Sequence, residues 1–254
     1  MTLKRNLILI SSLILSLCAL SPISYAQEPD LDALLTSLDS LSNFDSDLSV
    51  TMMMEIKDPE EGDSIRQVQQ FRRDNDDAFL MLIQKPETRL GQGHLRVDDN
   101  LWFYDPESRQ FSYSSASERF QGSSARNSDF GASRMAEDYR IGSWEEGQLG
   151  NFEVWILGLE AVHDEVTFPF RKVWIEKSQN LLLKSEDYSL TERLLRTSYY
   201  PSYARAADSY IPDRAIFVDE LIEGKSTSIT LSNISTADIP DNVFTKAYVE
   251  RVSR

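Results

Sequence analysis

Hydrophobic and polar positions along this chain follow two rhythms. Residues 30 to 43, DLDALLTSLDSLSN, place Leu31, Leu34, Leu35, Leu38 and Leu41 three and four apart, which puts them on one stripe of a helix with Asp30 as its N-cap. Beyond it the period drops to two. DLSVTMMMEI sets Leu48, Val50, Met52, Met54 and Ile56 on one face, and the turn KDPEEGD leads into SIRQVQQFRR, so the pair reads as a hairpin. Strand candidates continue as AFLMLIQK, HLRVDDNLWFYD, QFSYSS, FEVWILGLEAV, RKVWIEK, NLLLKSEDYS, LLRTSYY, RAIFVDEL and STSITLSNI. About eleven strands with no crossover helix between them require antiparallel pairing, and a sheet of that size curls.

Two short helical patches interrupt the strands. One falls near Ala132 to Asp138; the other, NVFTKAYVERV, carries Val243, Phe244, Ala247, Tyr248 and Val252 at rough helical spacing. The stretch SERFQGSSARNSDFGASRMAEDYR, residues 117 to 140, abandons alternation for small polar residues around Phe120 and Phe130. Some strands are apolar on both faces: in AFLMLI, Phe79, Met81 and Ile83 point one way and Ala78, Leu80 and Leu82 the other, and VWILGL behaves similarly around Trp155. With so little helix to cover them, a hollow half-barrel is one way to house the surplus.

Charge and the N-terminus narrow the setting. MTLKR, the apolar run NLILISSLILSLCAL and SPISYA read as a secretory signal at residues 1–26, cleaved after Ala26, which sends residues 27–254 to the periplasm as one domain. The run is shorter than the roughly 20 residues that span a bilayer. Cys18 is the only cysteine and leaves with the leader, so no disulfide or thiolate chemistry is expected. Loss of Lys4 and Arg5 takes the formal charge from −15 to −17, an acidity that disfavours nucleic acid and anionic membrane surfaces.

The inventory for chemistry is thin. His94 and His163 each lie beside an apolar strand with no second ligand at metal spacing, and no nucleophile elbow, zinc motif, P-loop or dinucleotide fingerprint occurs. Clustered acids such as Asp58, Glu60, Glu61 and Asp63 suit tight turns. No catalytic residue, metal or cofactor is expected, and the chain reads as not an enzyme. Aromatic and Met residues say more: Met52, Met54, Met81, Trp102, Tyr104, Phe120, Phe130, Trp155 and Trp174 are candidates for a cavity that takes acyl chains and for its lid. The same residues suit an ordinary core, and on sequence both readings stand.

DNLWFYDPESRQFSYSSASERFQGSSARNSDFGASRMAEDY resembles the signature region of the LolA-like outer-membrane lipoprotein-sorting proteins. The matching positions are Asp99, Trp102, Tyr104, Pro106, Phe120, Gly122, Ser123, Asp129, Phe130, Asp138 and Tyr139. Asp105 departs from the usual Leu before the turn proline, and none of the arginines aligns with the one that governs lipoprotein release in LolA. The resemblance implies a mainly β (α+β) fold: a single large curved antiparallel sheet forming an unclosed half-barrel, with an N-terminal helix and short lid helices. It further implies a non-enzymatic carrier for the acyl chains of a lipid or lipoprotein, with an RND-type or ABC transporter and an outer-membrane acceptor as partners. The alternative it leaves is an RseB-like sensor that regulates a membrane partner.

Overall fold

The computed structural model describes residues 30–97 and 100–253. The expected leader, its cleavage site, Cys18 and Asp99 lie outside the described residues. A helix α1 (Leu31–Ser42) opens the chain, with the Asp30 side chain accepting from the Ala33 N–H as its cap. Six strands follow as a meander: β1 (Leu48–Lys57), β2 (Ser64–Arg73), β3 (Ala78–Lys85), β4 (Gly93–Val97), β5 (Asn100–Asp105) and β6 (Gln110–Ser114). The chain then crosses through two 3-10 turns and the short helix α2 (Met135–Asp138) before seven more strands. These are β7 (Tyr139–Leu149), β8 (Phe152–Ala161), β9 (Phe170–Glu176), β10 (Leu182–Tyr188), β11 (Leu194–Ala206), β12 (Ser209–Asp219) and β13 (Ser226–Ser235); α3 (Lys246–Val252) closes the description.

All thirteen strands form one antiparallel, unclosed sheet in the order β6-β5-β4-β3-β2-β1-β13-β12-β11-β10-β9-β8-β7. The chain starts at the middle, works out to one edge, jumps to the other and works back until β13 pairs with β1. The two edges, β6 and β7, are therefore joined by residues 115–138, which must cross the open side of the curved sheet. Two more strands are present than the hydrophobic pattern predicts. HLRVDDNLWFYD is divided into β4 and β5, and β7 carries no alternation because most of its residues are exposed.

Of the doubly apolar strands, β3 is covered on both faces, while β8 gives only its Trp155, Leu157 and Leu159 side to a core. Along β3, Phe79, Met81 and Ile83 join the inner core with Leu48, Met52, Met54, Phe120 and Phe130. Ala78, Leu80 and Leu82 join an outer core under Ile239, Val243, Phe244 and Val249 from the C-terminal segment. That segment lies so close that a Cβ on Gly93 would stand 3.0 Å from Val249 Cγ1. Farther along the inner face, α1 lays Leu34, Leu35 and Leu38 on Leu157, Leu159, Val173 and Ile175 with Met135.

Candidate functional site

Three charges sit opposite one another on the inner face of neighbouring strands. The pairing register sets Asp187 of β10 across from Arg171 of β9 and from Arg196 of β11. Arg171 Nε donates to Asp187 Oδ1 at 2.7 Å and Arg196 Nε to Oδ2 at 2.8 Å, with Asp187 fully buried. Burial alone would raise the Asp187 carboxyl, but the two guanidinium charges outweigh it and hold its pKa below the usual range. Burial likewise works against the Arg196 cation, and the carboxylates of Asp129 and Asp187 reverse that and favour it.

Arg196 also reaches off the sheet. Its Nη1 and Nη2 donate to Asp129 at 2.5 and 3.0 Å, a two-pronged grip on the crossing segment, and its guanidinium lies 4.8 Å from the centre of the Phe168 ring. Asp129 in turn accepts from the Arg126 N–H, which closes the local turn. Two further bonds seat the segment on the inner face: Gln70 Nε2 donates to the Phe130 carbonyl at 2.7 Å, and the Ser124 N–H donates to Thr227 Oγ1 at 2.9 Å. Phe120 and Phe130, with ring centres 4.9 Å apart, enter the inner core between them.

Beside Phe130 lies a cavity of about 260 Å³, bounded by Leu38 of α1, Met52, Ile229, Ile211 and Tyr200 and floored in part by Arg171 and Arg196. Its roof is one unit made of two helices. Asp39 of α1 accepts from Ser133 Oγ and from the N–H groups of Met135 and Ala136, so it caps α2, while Asn43 bonds Ser133 from both ends of its amide. Burial pushes the Tyr139 phenol at this roof up to about 12 and raises the Tyr200 phenol, so both are neutral donors at neutral pH.

The candidate residues separate into groups. Met52 and Phe130 reach the cavity wall. Met54, Met81 and Phe120 share the inner core without lining the cavity. Trp155 packs at the rim of the α1 cluster, edge-on to Trp144 and under Lys177. Trp102, Tyr104 and Trp174 lie on the opposite face: Lys246 Nζ of α3 stands 3.2 Å from the Trp102 ring centre, Tyr104 packs on Phe111 in the outer core, and Trp174 is covered by Lys172 and Lys184. Alternation explains the division of β5, since Trp102 and Tyr104 necessarily point away from Leu101 in the inner core. Among the described residues no group of three or more His, Cys, Asp or Glu could hold a metal ion, and no helix is long and apolar enough to cross a membrane.

An open thirteen-stranded half-barrel, crossed by a segment pinned to its inner face and roofed by a helix, is a LolA-like fold. Solved structures of that kind superpose over nearly their whole length. A LolA superfamily protein from Nitrosomonas europaea is 24% identical, with 85% of this chain and 97% of that one covered at a TM-score of 0.74. An outer membrane lipoprotein-sorting protein domain from Vibrio parahaemolyticus is 21% identical over 87% and 98%, at 0.78. A DUF1329 family protein from Desulfovibrio piger ATCC 29098 is 18% identical over 86% and 97%, at 0.77. No curated protein matches the sequence. A family model described as "Uncharacterized protein" matches residues 75–251, from just after β2 into α3, and the chain belongs to that family; its likeness to the LolA superfamily structures is one of fold.

Proposed function

We propose that the protein is a non-enzymatic periplasmic carrier that takes the acyl chains of a lipoprotein or similar amphiphile between the inner face of its sheet and the crossing segment. The observation that carries this reading is the cavity at Phe130, lined by apolar side chains over an arginine floor and walled on one side by the crossing segment instead of a strand of the sheet. At about 260 Å³ it lies just under the roughly 300–1,000 Å³ of ordinary ligand pockets, so a diacyl cargo enters only as Phe130 and the helical roof move aside. Unbranched Met52, Met54 and Met81 behind Phe120 and Phe130 suit a wall that repacks around chains of different shape.

Acyl chains arrive from a membrane or another carrier, so the transfer of about 0.8 kcal/mol per methylene largely cancels between donor and carrier. A carrier therefore needs only modest preference for its cargo, with direction supplied by a transporter upstream or an acceptor downstream. Purification of the mature protein from a membrane-containing host, with solvent extraction and mass spectrometry, tests the reading: co-purified acyl species in the parent and their loss in the Phe120→Ser, Phe130→Ser double variant are expected. A reproducibly empty parent that exchanges no lipid with vesicles would overturn it.

A further inference from the structure

A second cavity, of about 280 Å³, opens at the far end of the inner face, where the β1–β2 turn, the start of β2 and the β3–β4 connection meet residues 119–122 of the crossing segment. Its wall is cationic in a protein of formal charge −15: Arg66, Arg89 and Arg119 all face it, with His94. Most buried arginines here are matched to an acid. Arg72 pairs with Asp74, Arg73 with Asp47, Arg171 and Arg196 with Asp187, and at this cavity Arg119 pairs with Asp219.

Arg66 and Arg89 are not matched. Among the described residues neither makes an ion pair; Arg89 Nη1 donates to Gln121 Oε1 at 2.9 Å, which leaves its charge unanswered, while Arg66 is only 8% exposed, its Nη1 donates to the neighbouring Ile65 carbonyl, and its Nε has no partner. Burial, and then the like charge of Arg89, both act against the Arg66 cation. Leaving a buried guanidinium uncompensated is costly, and the cavity adds two more polar groups in the same condition, Arg119 Nη1 and His94 Nδ1. Gln121 Nε2 lies 3.1 Å from His94 Nε2 and donates to it, which leaves the proton of the neutral ring on Nδ1 as a further donor. The acids nearby do not answer this charge. Asp58 is taken up by Lys225 Nζ at 2.6 Å and by the N–H groups of Glu60 and Glu61, and Glu61 itself is exposed at the rim.

From these unpaired donors we infer that the cavity is a binding site for a phosphate-type oxyanion, held by Arg66 and Arg89 with Arg119 and His94 donating beside them. Two unneutralised guanidiniums match the charge of a dianion, and a tetrahedral group has more oxygens than a carboxylate to share among four donor side chains. The chemistry is shared by free phosphate and by the phosphomonoester headgroup of an amphiphile. It does not depend on the acyl cavity, from which it is separated by the His94, Phe120 and Phe130 rings, packed one on the next at a tilt.

The test uses the mature protein in chloride buffer of fixed ionic strength, with thermal melting and calorimetric titration against inorganic phosphate and, separately, dihexanoyl phosphatidate. Saturable binding of at least one is expected, with a melting temperature that rises with its concentration, and a loss of about tenfold or more in affinity in Arg66→Gln and in Arg89→Gln. Binding of phosphate identifies the free oxyanion as sufficient, and binding of phosphatidate alone identifies the headgroup. Ligand-free Arg66→Gln should melt no lower than the parent, an outcome that an arginine with a purely structural role would reverse. Should that variant fail to fold, Arg89→Gln, half-buried at the rim, carries the test. No saturable binding of either ligand, or binding of equal strength in both variants, overturns the inference, whereas an empty acyl cavity does not touch it.

Discussion

The inner-face charges show what a single residue can and cannot reveal in sequence. Arg171, Asp187 and Arg196 are each one charged position in a strand, and only the register that sets Asp187 opposite both arginines makes them a unit. A charge on the same side as the buried Val173 and Ile175 was the available signal for Arg171, yet its partners are ten or more residues away. Removing one member of such a group leaves an unpaired buried charge, so Asp187→Asn should lose about 3–5 kcal/mol of stability in urea unfolding. His94, which sequence alone reads as a strand-end histidine, is buried, and burial depresses its pKa from 6.5 to about 4. Between those values the unfolded chain binds a proton that the folded protein excludes. Stability therefore falls as the pH drops through that window, by about 3 kcal/mol in full, and is unaffected by this group above it. In His94→Gln the fall in unfolding free energy from pH 6.5 to 4, read from urea unfolding, should be smaller than the parent's by about that amount.

At the scale of elements, the hydrophobic pattern is a good guide wherever one face is buried and the other wet. Residues 30 to 43 and the β1–β2 hairpin appear as their spacing predicts because their apolar stripes are used in full. The pattern is silent for β7, which holds its place by pairing with β8 while both of its faces meet solvent for most of its length. It overextends α2, which begins at Met135 rather than near Ala132 because Asp39, a residue of a different element, supplies the cap. Asp39→Ala should cost about 1 kcal/mol and show as faster amide exchange confined to residues 133–138, with the sheet unchanged. Phe120, fully buried between His94 and Phe130, behaves as core, and Phe120→Ala should cost about 3–5 kcal/mol in the same unfolding assay.

For the molecule as a whole, antiparallel pairing and eleven of the thirteen strands are legible in alternation, but the middle-outward strand order is not, since alternation carries no record of which strand meets which. That order depends on one late contact, β13 against β1, at a large separation along the chain. Such topology makes folding slow, in the range of milliseconds to seconds, and stopped-flow refolding should show it. The C-terminal segment is as much a part of the fold as the strands. Deleting residues 239–253 would bare Leu80, Leu82 and Leu95 on the outer face, and the truncated protein should bind a hydrophobic dye and self-associate on size exclusion. One consequence belongs to the segment that joins the two edges. Residues 115–138, fully drawn out, would reach roughly 80 Å, and their two 3-10 turns and the short helix α2 take up part of that length. That length is held in reserve by a series of clasps, Asp219 on Arg119, Thr227, Arg196 and Gln70 along the middle, and Asp39 with Asn43 at the far end, so the mouth can widen only as these release in turn.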